Sequence, residues 1–350
     1  MSHSITKICE DFISELDQAI GKQTSDSIFI LTDEITNKLC LPTLMQSVKL
    51  KNSHVICISN GDESKNVESA IKIWRYLSEN NATRKSLMIC LGGGMITDIG
   101  GFTASTFKRG MRYINVSTTL LGAVDAATGG KTGINFMGLK NEIGVFAPAD
   151  AVLINTEFFK TLDHENIRSG YAEMVKHALI DSQSEWEKVS KFDLFDIDFE
   201  KLQSLVASSI RIKERIVEQD PFEANIRKAL NFGHTFGHAF ESWSYKMDKP
   251  VLHGYAVMWG MLCELYLSYL KLNFPREILL QLKYLIKEYY GAFEYSCKDY
   301  ESFFSLMTHD KKNDNKEINF TLLADIGDIR INQTATKEEI FECLDFFIEG

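Results

Sequence analysis

The spacing of hydrophobic positions changes near the middle of the chain. In the first half, short apolar runs alternate with helix-length amphipathic segments, the runs being 27–33, 54–59, 86–94, 112–119 and 151–156. Apolar runs separated by helices are typical of a parallel sheet. From about residue 161 the spacing is almost wholly helical, with one late strand at 318–323. The pattern predicts an α/β N-terminal domain with a parallel sheet, 1–160, and a mainly α-helical C-terminal domain, 161–350.

Length and charge limit the class of protein. A chain of 350 residues exceeds the size at which one hydrophobic core usually stops growing, which favours two domains. A formal net charge of −10 argues against a nucleic-acid binder with a dispersed basic surface, but it leaves room for a small anionic substrate. Seven scattered cysteines, no secretory signal and no apolar run of membrane-spanning length indicate a cytoplasmic protein without a membrane partner.

Two glycine-rich stretches are candidates for phosphate binding. "GGGMITDIGG" at 92–101 follows a predicted strand and leads into a helix, where backbone N–H groups can approach a pyrophosphate. The spacing differs from GxGxxG, so a tight turn without a ligand is an equal alternative. "VDAATGGKTGIN" at 124–135 sets Lys131 after two glycines, where its ammonium can meet a phosphate or be solvated.

Histidines and a glutamate in the helical half suggest a metal site. "NFGHTFGH" at 231–238 places His234 and His238 four residues apart, on one helical face. Glu173 and His177 are also four apart, and His253 precedes a glycine. A catalytic divalent ion needs about three nitrogen or oxygen ligands and one open position. The spacing favours such a site without choosing which three residues form it.

Together these stretches resemble the 3-dehydroquinate synthase family of sugar-phosphate cyclases. The resemblance spans roughly residues 25–330 and is carried in order by "GGGMITDIGGF", "RGMRYINVSTTLLGAVDAATGGKTGIN", "GLKNEIGVF", "SGYAEMVK", "RKALNFGHTFGHAFE" and "LHGYAV". It implies an α/β N-terminal nucleotide-binding domain with a parallel sheet, plus a mainly α-helical C-terminal metal-binding domain. The implied cofactors are NAD and Zn2+, or Co2+ in its place.

The resemblance also assigns residues to sites. It implies that Glu173, His234 and His253 hold the metal, whereas His177 matches no family site residue and is expected to be packed. The implied NAD contacts are Asp33, Asp62, Glu63, Lys65, Gly93, Gly94, Thr97, Asp98, Thr118, Thr119, Lys131, Lys140, Phe158, Lys160 and Thr161. The implied catalytic and substrate contacts are Arg109, Asp125, Lys131, Asn141, Lys176, Lys213, Arg227, Asn231, His238 and Lys312, or its neighbour Lys311. Arg109 resembles the arginine that this family lends across a homodimer interface.

The implied activity is 3-dehydroquinate synthase, which converts 3-deoxy-D-arabino-heptulosonate 7-phosphate to 3-dehydroquinate and phosphate in aromatic amino-acid biosynthesis. A first alternative is another sugar-phosphate cyclase of secondary metabolism. A carboxylate-bearing substrate is favoured instead by four residues: Lys176, Lys213, Arg227 and Asn231. A second alternative is a metal-dependent polyol dehydrogenase. Such an enzyme needs no phosphate-binding set, so Arg109, Lys131 and the "DKK" stretch at 310–312 count against it.

Overall fold

The computed structural model describes residues 5–137, 139–308 and 318–349. The chain divides into two compact units, with the boundary between Asp163 and His164. Within the described ranges, no helix is both long enough and apolar enough to cross a membrane.

In the first unit, short strands alternate with helices. The strands are β1 (Ile5–Ile8), β2 (Ile28–Asp33), β3 (His54–Ile58), β4 (Leu87–Gly92), β5 (Arg112–Ser117), β6 (Lys131–Phe136), β7 (Leu139–Phe146) and β8 (Ala151–Ile154). The helices are α1 (Phe12–Gly21), α2 (Glu34–Leu39), α3 (Leu41–Leu44), α4 (Val67–Glu79) and α5 (Gly94–Thr106). The apolar runs predicted as strands form β2, β3, β4, β5 and β8. The spacing does not predict the short strand β1 or the hairpin β6–β7, because β7 is exposed along its whole length and has no buried face to mark it.

A parallel sheet forms the centre of this unit, with the strand order β1-β8-β5-β4-β2-β3 among the described residues. Every residue of β4 is buried. Ile30, Ile89, Ile114 and Val116 share one hydrophobic core with Leu16 of α1. Strands covered on both faces need unbroken apolar runs, which explains why the sequence marks them so clearly. The predicted α/β unit with a parallel sheet is confirmed.

The carboxyl edge of the sheet collects several residues expected to bind NAD. The chain moves from β2 to β3 in one direction along the sheet and from β4 to β5 in the other, so the strand order reverses between β2 and β4. Asp33 ends β2, Gly92 ends β4 and Thr118 follows β5. Ligands of open α/β sheets bind at this kind of reversal, beyond the carboxyl ends of the strands.

The second unit is mainly helical, as predicted. Its helices are α6 (His164–Asp181), α7 (Gln183–Val189), α8 (Phe199–Gln219), α9 (His234–Lys246), α10 (His253–Leu272), α11 (Arg276–Tyr289), α12 (Tyr300–Thr308) and α13 (Lys337–Glu349). The strands β9 (Phe320–Asp325) and β10 (Asp328–Gln333) pair antiparallel. The predicted late strand overlaps β9, whereas β10 was not predicted, because its positions are half-buried or exposed and form no apolar run.

Helix α10 lies at the centre of the second unit. It packs against α6, α9, α11 and α13, and its sequence is apolar on nearly all sides, as a buried helix requires. A Cβ atom on Gly260 would lie 2.1 Å from the carbonyl oxygen of Gly233, just before α9. The backbones of α10 and the start of α9 are therefore in direct contact, and glycine at 260 permits that approach.

Candidate functional site

Glu173, His234 and His253 converge in the second unit. Glu173 is fully buried on α6, while His234 and His253 are the first residues of α9 and α10. The Nε2 atoms of His234 and His253 lie 3.7 and 3.8 Å from Glu173 Oε1. One ligand atom from each residue lies within 4.8 Å of the other two. Three separated stretches of sequence thus supply one compact cluster of nitrogen and oxygen atoms.

Neighbouring groups orient both imidazoles of this cluster. His234 Nδ1 lies 3.1 Å from the carbonyl oxygen of Phe232. His253 Nδ1 lies 3.3 Å from Glu241 Oε2. Each Nδ1 faces an acceptor, an arrangement that favours a proton on Nδ1 and leaves Nε2, which lies toward Glu173, to bind a cation.

The cluster suits a divalent cation. Glu173 Oε2 accepts a hydrogen bond from the buried ammonium of Lys176. Glu173 Oε1 is buried and has no hydrogen-bond partner within the described part of the chain. A buried carboxylate oxygen without a donor is costly unless a cation faces it. One carboxylate oxygen and two imidazole nitrogens form a set that zinc uses in catalytic sites, with a further position open.

Two other histidines lie near this cluster in different surroundings. The ring of His238 is half-buried and lies 5.3 Å from that of His234 and 6.1 Å from that of His253. It therefore lies beside the close set of ligand atoms, one helical turn along α9. His177 is fully buried, and its Nδ1 lies 2.7 Å from the hydroxyl of Ser209 on α8. The ring of His177 therefore contacts α8, and its packed role stays a prediction.

The positive side chains expected to hold substrate in the second unit are buried. Lys176, Lys213 and Arg227 are 1%, 5% and 2% exposed. Arg227 Nη1 donates to the carbonyl oxygen of Pro221 at 2.6 Å. Because few water molecules screen a buried charge, each of these side chains would interact strongly with an anion nearby. Lys311 and Lys312 lie outside the described residues.

Asn231 has a carboxylate partner, Glu223, that was not predicted from the sequence. Its Nδ2 donates to Glu223 Oε1 at 2.6 Å. Glu223 has a left-handed backbone, with φ of 60°, so the chain turns sharply to present it. Because it contacts Asn231, we include Glu223 in the candidate site. The two residues are eight apart in an irregular segment, so no periodic pattern predicts their contact.

In the first unit, the glycine stretch forms the end of β4 and the start of α5, as expected. Gly93 is the N-cap of α5, and the first turn has no side-chain cap among the described residues. Thr118 donates its backbone N–H to the carbonyl oxygen of Gly92 at 3.0 Å. A Cβ atom on Gly93 would lie 2.8 Å from Thr119 Cγ2. The glycine therefore allows β4, α5 and the segment after β5 to meet, and the helix start is suited to bind an anion.

Lys65 is the centre of a polar network next to this helix start. It is buried, and its ammonium donates to Asp98 and to Asn141. Burial raises the pKa of Asp98 above its usual value, and the charge of Lys65 opposes that rise. Asn135 Nδ2 donates to Asp62 Oδ2 at 3.2 Å, and its Oδ1 accepts the backbone N–H of Asn141 at 3.0 Å. Asn135 was not predicted, although it ends the quoted "KTGIN" motif.

Two residues expected to bind NAD also have structural roles. The Oδ1 atom of Asp33 caps α2 by accepting the backbone N–H groups of Ile35 and Thr36 at 2.9 and 2.8 Å. The side chain of Phe158 packs edge-on against Phe12, with ring centroids 5.5 Å apart. A contribution of Phe158 to nucleotide binding would therefore come from its backbone.

The remaining expected residues of the first unit differ in exposure. Lys140 Nζ lies 3.2 Å from Asp62 Oδ2, and Lys160 pairs with Glu157 at 2.7 Å. Arg109 is exposed in a turn after α5 and has a left-handed backbone, with φ of 65°. Among the other residues of the first unit expected to bind NAD or substrate, those exposed are Glu63, Lys131 and Thr161. Gly94, Thr119 and Asp125 are half-buried, and Thr97 is buried.

The chain matches two family models and curated proteins along most of its length. Residues 55–169 match the model described as 3-dehydroquinate synthase N-terminal, and residues 170–313 match 3-dehydroquinate synthase C-terminal. The 3-dehydroquinate synthase of Parabacteroides distasonis is 51% identical over 350 residues, which cover 100% of this chain and 99% of that protein.

Solved structures of two cyclases have a similar fold. The 2-epi-5-epi-valiolone synthase of Streptomyces hygroscopicus subsp. jinggangensis, with NAD+ and Zn2+ bound, gives a TM-score of 0.88 at 20% identity, covering 100% of this chain and 98% of that one. A 2-deoxy-scyllo-inosose synthase complexed with carbaglucose-6-phosphate, NAD+ and Co2+ gives 0.86 at 20% identity, covering 96% and 95%. These likenesses show the fold alone. The family models and the curated relative show more: this chain belongs to the 3-dehydroquinate synthase family.

Proposed function

We propose that the protein is a 3-dehydroquinate synthase, a carbon–oxygen lyase that converts 3-deoxy-D-arabino-heptulosonate 7-phosphate to 3-dehydroquinate and phosphate. The observation that carries the proposal is the cluster of Glu173, His234 and His253, whose ligand atoms lie within 4.8 Å of one another. Membership of the family supplies the reaction to which such a cluster belongs. The reaction is part of the shikimate pathway.

A divalent ion, Zn2+ or Co2+, is assigned to these three residues. Bound there, it would lower the pKa of a substrate hydroxyl and polarise the ketone formed from it. The NAD+ with Zn2+ or Co2+ in the two similar cyclase structures supports this choice of cofactors. Glu241 and the carbonyl oxygen of Phe232 hold the two imidazoles with Nε2 toward Glu173. His238, one turn further along α9, is assigned to the substrate.

NAD is assigned to the carboxyl edge of the sheet in the first unit. It would accept a hydride and later return it, so that the whole reaction has no net redox change. The start of α5 at Gly93 and Gly94 is suited to the pyrophosphate, because backbone N–H groups and the helix dipole favour an anion there. Lys65 holds Asp98 and Asn141 in fixed positions beside that helix start.

Cations in the second unit suit the carboxylate of the substrate. Lys176, Lys213 and Arg227 are buried, where charge-assisted hydrogen bonds to a carboxylate are strong. Lys176 also neutralises the second oxygen of Glu173. A cyclase acting on a sugar phosphate without a carboxylate would have no use for this set, which is why dehydroquinate synthesis is preferred over the other cyclase reactions.

Contacts to the substrate phosphate are assigned to Lys131 and Asn141 in the first unit. Lys131 follows two glycines with left-handed backbones, at φ of 104° and 69°, which present the lysine at the start of β6. Asp125, in the turn Gly122–Ala126, is assigned to ordering a lysine or a water.

The protein is further proposed to be a cytoplasmic homodimer in which Arg109 serves the partner's phosphate site. Apolar side chains on the hairpin β6–β7 support a protein contact, since Met137 is 87% and Phe146 49% exposed. The proposed cytoplasmic location is supported by the cysteines of the protein, which are free, as is usual in a reducing compartment; they lie at 9, 40, 57, 90, 263, 297 and 343.

One assay tests the proposed reaction. The protein is incubated with 3-deoxy-D-arabino-heptulosonate 7-phosphate, Zn2+ and a trace of NAD, and released phosphate, ring product and NADH are measured. Equal amounts of phosphate and 3-dehydroquinate without accumulating NADH are expected. NADH formed in proportion to substrate would instead indicate a polyol dehydrogenase. No turnover of this substrate, together with phosphate release from a sugar phosphate without a carboxylate in a parallel incubation, would indicate another cyclase.

A further inference from the structure

The start of α9 is held by a carboxylate from another helix. Glu264, fully buried on α10, accepts the backbone N–H of Gly233 with Oε2 at 2.6 Å. Its Oε1 accepts the N–H of Thr235 at 2.9 Å and that of Phe236 at 3.4 Å. The first turn of any helix has N–H groups without partners inside the helix. Here one side chain accepts hydrogen bonds from three backbone N–H groups around that turn, those of Gly233, Thr235 and Phe236.

A local cap is ruled out by the shape of the chain at this point. Gly233, the N-cap residue, has φ of 81° and carries no side chain that could cap α9. A Cβ atom there would lie 2.9 Å from the carbonyl oxygen of Val257 and 2.4 Å from Met261 Cγ. Serine or aspartate, the usual N-cap residues, therefore do not fit, and the cap comes from α10.

These hydrogen bonds lie on both sides of one proposed metal ligand. His234 stands between Gly233 and Thr235, whose N–H groups both bind Glu264. Glu264 in turn lies on the helix that begins with His253, eleven residues further on, or about three turns. One carboxylate thus joins the backbone that carries one imidazole to the helix that carries the other.

We propose that Glu264 is a positioning residue for metal binding: it fixes His234 relative to His253, so that both imidazoles face Glu173. The inference rests on the proposed metal site and adds a residue that touches neither metal nor substrate. A shift of His234 away from His253 would have to break the hydrogen bonds that Glu264 makes to its neighbours. A shift of the start of α9 toward α10 is also restricted, because the backbones at Gly233 and Gly260 are already in direct contact.

The test separates positioning from ordinary stabilisation. Glu264→Ala and Glu264→Gln are compared with Ser268→Ala, a buried control one turn along α10 whose hydroxyl accepts the backbone N–H of Leu323. Full-length proteins are stripped of metal and titrated with Zn2+ against a chelator of known affinity. Thermal unfolding is measured in parallel, and the visible absorption of the Co2+-loaded proteins reports the geometry around the ion.

Glu264→Ala is expected to weaken Zn2+ binding by about 10- to 100-fold, as loss of an outer-shell partner does, and to alter the Co2+ spectrum. Glu264→Gln keeps one acceptor oxygen and should lose less. Ser268→Ala should lower the unfolding temperature while its Zn2+ affinity and Co2+ spectrum match those of the unchanged protein.

A folded Glu264→Ala protein with unchanged Zn2+ affinity and Co2+ spectrum would overturn the inference. If that variant does not fold, Glu264→Gln decides by the same two measurements. His234→Ala provides the reference for the metal site itself. If His234→Ala leaves Zn2+ affinity unchanged, the proposed metal site fails and the inference fails with it. If His234→Ala abolishes binding but the Glu264 variants bind normally, the inference alone fails.

Discussion

Glu241 Oε2 lies 3.3 Å from His253 Nδ1, so a buried carboxylate on α9 orients the imidazole that begins α10. Glu241 also follows His234 by seven residues, about two helical turns. Helix α9 therefore provides one proposed ligand directly and orients a second one through Glu241. A carboxylate behind a ligating histidine fixes the ring and raises its basicity.

The first prediction concerns this carboxylate. Glu241→Ala should weaken Zn2+ binding by about 10- to 100-fold, because His253 loses the acceptor that fixes its ring. Glu241→Gln, which keeps an acceptor oxygen but no charge, should have a smaller effect. Chelator competition measures both. Equal Zn2+ affinity in Glu241→Ala and the unchanged protein would contradict the role given to Glu241.

The second prediction separates the two histidines of α9. His234→Ala should lose both tightly bound metal and turnover, since its Nε2 faces Glu173 at 3.7 Å. His238→Ala should retain the metal and lose turnover by about 10²- to 10⁴-fold, the range for a lost acid–base or substrate-orienting group. Metal content and steady-state rate are measured on the same samples. Loss of metal in both variants would mean that both histidines are ligands.

The third prediction concerns the buried pair of Lys65 and Asp98, whose side chains are 5% and 17% exposed. Lys65→Met should lower the free energy of unfolding by about 3 kcal/mol, because it leaves a carboxylate with little solvent and no cation. Lys140→Met is the control: its pair with Asp62 is 40% and 38% exposed, and its loss should cost at most about 1 kcal/mol. Urea unfolding without NAD measures both.

The loss caused by Lys65→Met should depend on pH. Burial raises the pKa of Asp98 in the folded protein, so folding favours the protonated form and stability falls as pH rises through that raised pKa. Lys65 opposes the rise, and its removal therefore increases the pKa further. The stability difference between the two proteins should be larger at about pH 8 than at about pH 5. A constant difference would show that Asp98 does not respond to Lys65.

The fourth prediction tests how closely α10 approaches α6. A Cβ atom on Gly254 would lie 1.9 Å from the carbonyl oxygen of Ser169. Gly254→Ala should cost about 3 kcal/mol in unfolding free energy and weaken Zn2+ binding, because His253 next to it moves away from Glu173. Ser169→Ala removes only the hydroxyl that accepts the N–H of Gly254 at 3.1 Å. It should cost about 1 kcal/mol and keep the metal.

The fifth prediction follows from the proposed homodimer. Arg109→Ala and His234→Ala should each be nearly inactive alone. Mixed and reassembled dimers should regain activity, since the Arg109→Ala subunit keeps an intact metal site and receives Arg109 from its partner. Activity is measured before and after mixing, with subunit exchange followed by size and mass. No recovery despite confirmed exchange would contradict the assignment of Arg109 to the partner's site.

The sequence predicted the buried strands and most helices because burial leaves a continuous or periodic apolar pattern. Strand β4 is buried at every position and is the clearest case. Strand β7 is exposed at every position, so its pairing with β6 depends on neighbours that spacing does not reveal. The apolar pattern thus predicted the centre of each unit and missed elements on the surface.

For the candidate site, the proposed metal ligands were predicted, but the residues that orient them were not. Spacing alone permitted several sets of three ligands, and the resemblance singled out Glu173, His234 and His253. The sequence did not predict the residues that orient these ligands. Glu264, for example, binds backbone N–H groups about thirty residues away, and it reaches them only when α9 and α10 are packed together. Glu241 had a usable signal, since it lies on the same helical face as His234 and His238.

The pairing of β1 with β8 has a consequence for synthesis of the protein. Ile5–Ile8 emerge from the ribosome early, yet their hydrogen-bonding partners, Ala151–Ile154, are among the last residues of that unit to be made. The edge of the sheet therefore stays incomplete until translation has passed the final strand. A nascent chain arrested before residue 151 would therefore carry Ile5–Ile8 without the strand that pairs with it.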